Sequence, residues 1–260
     1  MNINNKIKIF DDDMKYVFND IGVESVIFYY KKYKDILLKY FRDEKINREQ
    51  YLRDLADYEI PRKTLIFPKN RLENKEKKIE TIKNRKSLKD EVEIISPAYY
   101  ENEFKGYLMK KENLKYLNVL ENKKKKIKYL KLIREKIELL NNDGIFIGDF
   151  NENNFLTNKD ITILKLCDLD NLRIDNYNFD TEHIFVKKYE KTNAKKEYID
   201  SYCFNMFTIA YLNKINLGYF VLNNQKLPRI LGTKENEEIL ESMKNLDSSY
   251  QYKFLIDNIK

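Results

Sequence analysis

"FIGDFNENNFL" runs from Phe146 to Leu156, and eleven residues after its Asn154 comes "KLCDLDN", Lys165 to Asn171. An acid and an asparagine, Asp149 and Asn154, stand five positions apart in one polar loop. A second acid, Asp168, closes the next apolar run. Asp and Asn are ordinary turn formers, so a lone pair of this kind closes a turn in any fold. The setting narrows the reading. Upstream, Ile127, Leu130, Ile133, Ile137 and Leu140 recur at steps of three and four, which predicts one apolar face of a long helix ending at Asn141 to Gly144. "IFIGDF" and "ITILKLCDL" then read as short buried strands on either side of the acidic loop.

Further out, "SVIFYYKK" and "DILLKYF" are apolar and aromatic runs joined by a polar turn at Lys32 to Lys34, the pattern of an antiparallel hairpin. Residues 43–90 are charged and mostly helical, broken at Pro61 and Pro68, with "NKEKKIETIKN" the clearest short helix. Its lysines Lys75, Lys77, Lys78 and Lys83 alternate with acids and predict a solvated face. "VEIISPAYYENEFKGYLMKK" returns to strand character around a turn at "ENE". Past Asp200, "YCFNMFTIAYLNKI" is apolar enough for a central helix, and the remainder reads helical with a break at Pro228. The expected fold is therefore α+β, with a sheet-containing unit over residues 1–110 and a larger, mostly helical unit over 111–260.

The chain has 260 residues, and its 42% hydrophobic content can fill a core. A net charge of +7 admits phosphate-bearing partners, although interspersed Glu makes the Lys-rich surface equally consistent with simple solvation. Cys167 and Cys203 are the only cysteines, which disfavours a disulfide framework or a zinc site. No run reaches the roughly eighteen apolar residues of a membrane span, and the start lacks a signal-peptide core. A cytoplasmic protein with no membrane partner is the expectation.

Moving a phosphoryl group from ATP requires a carboxylate that orients a hydroxyl and takes its proton, and oxygen ligands that hold Mg²⁺ against the phosphates. "GDFNENNFL" followed by "ILKLCDLDN" supplies these in order, and resembles the catalytic and metal-binding loops of the protein-kinase-like superfamily. The resemblance spans about Ile21 to Ile215, with the two loops as its specific part. It implies a two-lobed fold, with a small antiparallel sheet lobe carrying a helix, a helical lobe, and Mg-ATP bound between them. Asp149 then stands at the catalytic aspartate, and Asn154 and Asp168 at the metal ligands, with Mn²⁺ able to replace Mg²⁺. Ile147 and Gly148 replace the family's His-Arg pair, Asn151 stands where many protein kinases carry lysine, and "DLD" replaces "DFG". Gly148 implies that control through a phosphorylated activation segment is absent.

The same resemblance places Lys39, in "DILLKYF", at the lysine of the "VAIK" strand that steadies the α and β phosphates. Its glutamate partner is assigned to Glu80, with Glu49 and Glu76 as the other choices. Gly22 and Ser25 stand at the phosphate-covering loop, Ile27 at the adenine roof, and Met109 in the hinge run Leu108 to Lys111. Asp200 resembles an aspartate that bonds the backbone of the catalytic loop, and a plain N-cap would read the same way. Asp170 either adds charge near the metal or caps a turn. His183 reads as a surface or packing residue. The implied acceptor is a Ser/Thr hydroxyl of a protein, with a small-molecule alcohol as the alternative because no "APE" element is evident. A nucleotide-binding pseudokinase remains open within the fold. A basic nucleic-acid-binding protein using "ENKKKKIKYLK" is the rival from another class, and nucleic acid is the less favoured partner.

Overall fold

A computed structural model describes residues 7–21, 25–41, 71–116, 122–180, 183–217 and 220–259. The chain divides into two compact units, residues 1–113 and 114–260. Among the described residues the architecture is mixed α+β, and no helix is long and apolar enough to cross a membrane.

In the first unit a six-stranded sheet has the order β1-β5-β6-β4-β3-β2. Its strands are β1 (Ile7–Lys8), β2 (Met14–Ile21), β3 (Ser25–Tyr30), β4 (Ile36–Phe41), β5 (Ile94–Tyr100) and β6 (Glu103–Lys110). The two expected hairpins are β3–β4 and β5–β6, the second turning at Glu101 and Asn102, both with positive φ. The sequence reading missed β1 and β2. The sheet is also not wholly antiparallel, because β1 pairs parallel to β5. Alternation splits its residues between two faces. Val26, Phe28, Tyr30, Leu38, Ala98 and Leu108 form one apolar cluster with Ile9. The other face carries Ile27, Lys39 and Tyr107, which stand directly opposite one another on β3, β4 and β6.

Helix α1 (Arg71–Asn84) covers that second face. Lys75 sets its ammonium 4.0 Å from the centre of the Phe41 ring, and Ile79 and Ile82 are buried. Lys75 and Lys78 are themselves only 1% exposed, which corrects the expectation of a wholly solvated lysine face. Positions 75, 78, 79 and 82 share one side of a helix, so the stripe that must be buried takes those lysines with it.

In the second unit, α2 (Lys123–Asn142) starts at Asn122, whose side chain accepts the Lys124 N–H at 2.9 Å. It ends at Gly144, where φ is +71. Its buried face is the expected stripe with Tyr129 added and Ile127 only half-buried. In the basic run of its first turn, Lys126 donates to the Tyr211 carbonyl and lies over that ring. Helix α3 (Ile184–Glu190) precedes α4 (Ile199–Asn213), in which every residue from Ile199 to Tyr211 is buried. The segment after it, expected to be helical, holds α5 (Lys234–Lys244) and otherwise short 3₁₀ turns. That segment is bound to α4 through amides. Asn205 bonds the backbone of Lys253 and Leu255, and Asn236 donates to the Leu255 carbonyl. "IFIGDF" forms no strand; only Phe146 pairs, in an isolated bridge with Arg173.

Gly106 lies opposite Tyr40, where a Cβ would stand 2.0 Å from the Lys39 carbonyl oxygen. The contact is with backbone and cannot be relieved by a rotamer change. Gly106→Ala is expected to cost about 2 kcal/mol, read as a melting temperature lower by roughly 5 °C in calorimetry. An unchanged melting temperature would show that β4 and β6 separate freely there.

Candidate functional site

The loop between α2 and the next strand is fastened by its apolar members. Phe150 and Phe155 stack on each other with centroids 6.2 Å apart, and Phe150 meets Phe204 of α4 edge-on at 5.6 Å. Both loop rings are no more than 2% exposed. Burying these rings stabilises each by a few kcal/mol and leaves the polar residues between them no choice of direction.

Asp200, in the first turn of α4, fixes the backbone ahead of them. Its carboxylate accepts the N–H of Ile147 at 2.9 and 3.1 Å and that of Gly148 at 2.8 Å. The N-cap of this helix is Tyr198 and Asp200 lies inside its first turn, so the N-cap reading does not hold. With the Asn141 amide turned to meet the acceptors around it, its NH₂ donates to Asp200 Oδ2 at 2.8 Å and to the Ile145 carbonyl at 2.9 Å. The carboxyl is fully buried. Burial pushes it up to about 6, while the two loop N–H groups and the Arg173 guanidinium pull it back.

Past the clamp the chain reverses in a three-residue turn, closed by the Asp149 N–H on the Ile147 carbonyl at 2.7 Å with Gly148 at φ +65. A Cβ on Gly148 would lie 2.6 Å from Cε1 of Phe179. Glycine is needed there twice, for the positive φ and for the ring packed on it.

The turn presents Asp149, half-buried, to two amides. Asn151 donates to both of its carboxylate oxygens at 3.2 Å, and Asn154 donates to Oδ2 at 3.0 Å and to the Asp149 carbonyl at 2.9 Å. Asn154 is 8% exposed. Since its NH₂ is spent on Asp149, its Oδ1 is the end of the amide directed away from that residue. A hairpin then carries the chain back. Strand β8 (Phe155–Thr157) pairs antiparallel with β9 (Leu164–Leu166), and β7 (Lys115–Tyr116) flanks β8. Asn158 closes the hairpin by accepting the N–H groups of Thr162 and Ile163. The Cys167 N–H extends the ladder by donating to the Asn154 carbonyl at 3.0 Å. Asp168 is thus one residue beyond the cross-strand partner of Asn154, at the same end of the hairpin.

The structure therefore brings Asp149, Asn154 and Asp168 to one end of one supersecondary unit. Among the described residues no group of three or more His, Cys, Asp and Glu converges. One amide oxygen and one carboxylate are hard ligands of the kind Mg²⁺ takes when phosphates and water complete its shell. Asp170 is buried in the 3₁₀ turn Leu169–Asn171. The open concavity lined by Arg173, Asn178, Glu190 and Lys196 involves neither acidic loop.

In the first unit Lys39 is 8% exposed, 6.0 Å from the Tyr107 ring centre and opposite Ile27. Ser25 opens β3 opposite Phe41, and Met109 is buried on β6 opposite Leu37. Of the three glutamates considered for Lys39, Glu80 is exposed on α1, and Glu76 accepts a hydrogen bond from the Tyr99 hydroxyl. Glu49 and Gly22 lie outside the described residues.

The sequence reading passed over the strap that follows Asn171. Arg173 bridges Phe146 by two 2.9 Å backbone bonds and stacks its guanidinium 4.2 Å from that ring and 5.3 Å from Phe179. It also donates to the Lys196 carbonyl at 3.1 Å. Phe179 roofs Gly148, and His183 caps α3 with Nδ1 accepting the Phe185 N–H at 3.4 Å. No local sequence pattern announces the contacts of Arg173 with Phe146 and Lys196 or of Phe179 with Gly148, because these join residues distant in the chain. No model of a known protein family matches this chain, and no curated protein matches it.

The Asp200 clamp has a pH signature. Its folded value lies above the ordinary 3.8, so the stabilisation it contributes is full below about pH 4 and is lost as pH rises through about 6. Unfolding free energy measured in urea should fall, relative to Asp200→Asn, by on the order of 3 kcal/mol across that window. Parallel pH profiles for the two proteins would show that the carboxyl titrates normally.

Proposed function

We propose that the chain is an ATP-dependent phosphotransferase of protein-kinase-like architecture. In this reading the second unit carries the proton acceptor and metal ligands, and the first carries the lysine for the nucleotide phosphates. The observation that carries it is the hydrogen-bonded group of Asp149 and Asn154, with Asp168 beside it across the Asn154–Cys167 ladder bond. A turn needs only one of these residues. Three oxygen-bearing side chains at one hairpin end, over a loop backbone clamped from a buried helix, is more than closure of a turn requires.

In the reaction Asp149 accepts the proton of an acceptor hydroxyl as its oxygen attacks the γ-phosphorus. The amides of Asn151 and Asn154 hold that carboxylate in one rotamer, so its orientation is set before substrate arrives. Asn154 Oδ1 and the Asp168 carboxylate would hold Mg²⁺, which supplies positive charge against the phosphate oxygens. Lys39, fixed on β4 between Ile27 and Tyr107, would steady the α and β phosphates. A Ser/Thr hydroxyl of a protein is the first acceptor in this reading. One observation favours a small-molecule alcohol instead: Gly148 with Phe179 packed on it leaves no place for the arginine through which protein kinases answer to a phosphorylated segment.

Incubation with γ-labelled ATP and Mg²⁺ tests the proposal. Asp149→Ala and Asp168→Ala should each lower transfer by at least roughly 100-fold, with melting temperatures near that of the wild type. Transfer retained in both variants would end this reading, and stabilisation by nucleotide without any transfer would identify a pseudokinase.

The ligand chemistry makes a separate expectation. EDTA should abolish transfer, and Mg²⁺ or Mn²⁺ should restore it where Ca²⁺ does so poorly, since a site with few protein ligands suits a small octahedral ion. Full activity in excess chelator would remove Asn154 and Asp168 from the role given them.

A further inference from the structure

In "YQYKF", Tyr250 to Phe254, exposure alternates: Tyr250 and Phe254 are buried, Tyr252 is half-buried, and Gln251 and Lys253 are exposed. Every second side chain therefore finds a partner on a helix. The Tyr250 and Ser201 hydroxyls are 3.0 Å apart, and Phe254 lies edge-on to Phe204 at 5.8 Å. Asn205 bonds the backbone on both sides of Phe254, at the Lys253 carbonyl and the Leu255 N–H, so the segment cannot slide along α4. Tyr252, between these anchors, sets its hydroxyl 3.0 Å from the Asn141 amide. Its ring is fixed separately, by Phe254 edge-on at 4.9 Å and by Tyr198 at 5.8 Å.

The hydroxyl has one direction open to it. With the Asn141 NH₂ on Asp200 Oδ2 and on the Ile145 carbonyl, the end of the amide that faces Tyr252 is the oxygen, and the phenol donates. The bonds then stand in series, from the Tyr252 hydroxyl to Asn141, from Asn141 to Asp200, and at Asp200 to the N–H groups of Ile147 and Gly148. Turned over, the amide would set its oxygen against a buried carboxylate. A donor on the far side holds it the right way round and strengthens the NH₂ as a donor. We infer that Tyr252 is a positioning residue, which acts through Asn141 and Asp200 on the backbone that presents Asp149. Its consequence for transfer rests on Asp149 being the proton acceptor, whereas its hold on the loop does not.

Tyr252→Phe keeps the ring contacts and removes the donor. Amide hydrogen exchange at Ile147 and Gly148, followed by NMR, should quicken roughly 10-fold relative to the amides of α4. In an Asn141→Ala background the same replacement should add nothing, because the link is already cut. No change at those two amides, quickening spread evenly over the second unit, or an equal effect in both backgrounds would reduce Tyr252 to packing and overturn the inference. Should Asn141→Ala fail to fold, the first comparison decides alone. With γ-labelled ATP and casein as acceptor, Tyr252→Phe should lower kcat roughly 5-fold and leave the KM for ATP unchanged. A wild-type kcat beside a loosened loop would overturn the role in transfer. If the wild type shows no Asp149-dependent transfer, the phosphotransferase reading falls, and exchange at Ile147 and Gly148 still decides whether Tyr252 holds the loop.

Discussion

A carboxylate sealed from water on the first turn of α4 governs the geometry of the second unit. Leaving Asp200 ionised there is costly unless every oxygen has donors, and the donors it takes are the N–H groups of Ile147 and Gly148. Two consecutive amides pointed at one side chain leave the chain little option but to turn sharply at the next residue. That turn exposes Asp149, while Phe150 is driven into the core beside Phe204. Everything downstream inherits this placement: Asn154 reaches back to Asp149, the β8–β9 hairpin springs from Asn154, and Asp168 arrives at its end. The clamp therefore acts as a coordinate origin, and α4 can serve as one because it is buried along almost its whole length.

The first unit reaches comparable order by sheet register. Cross-strand alignment of Ile27, Lys39 and Tyr107 puts an ammonium among apolar neighbours on the face that α1 covers. The helix brings two more buried lysines to that face, and aromatic rings offer cations a partial substitute for water, as Lys75 does over Phe41. Three buried lysine side chains thus belong to one side of the sheet, while the opposite side is an ordinary aliphatic and aromatic core.

Much of this was legible in the chain itself. The hairpins β3–β4 and β5–β6, the stripe on α2 and the buried α4 all follow from local periodicity, which depends on neighbours within one or two turns. The misses share a cause. Strand β1 is two residues long and exists only because β5 offers a partner. Lys75 and Lys78 read as solvent-facing because charge was weighed above their positions on the stripe. Asp200 had two readings that no local pattern could separate, since its partners lie 52 and 53 residues away.

The pairing of Gly148 with Phe179 also constrains the order in which this chain can change. A side chain at 148 meets both an unfavourable backbone angle and an aromatic ring at 2.6 Å, so an arginine cannot arrive there first. Phe179 would have to shrink beforehand, which opens a cavity over the loop and weakens the strap during the intermediate step. The two positions are thereby coupled, since what can stand at 148 depends on the side chain at 179.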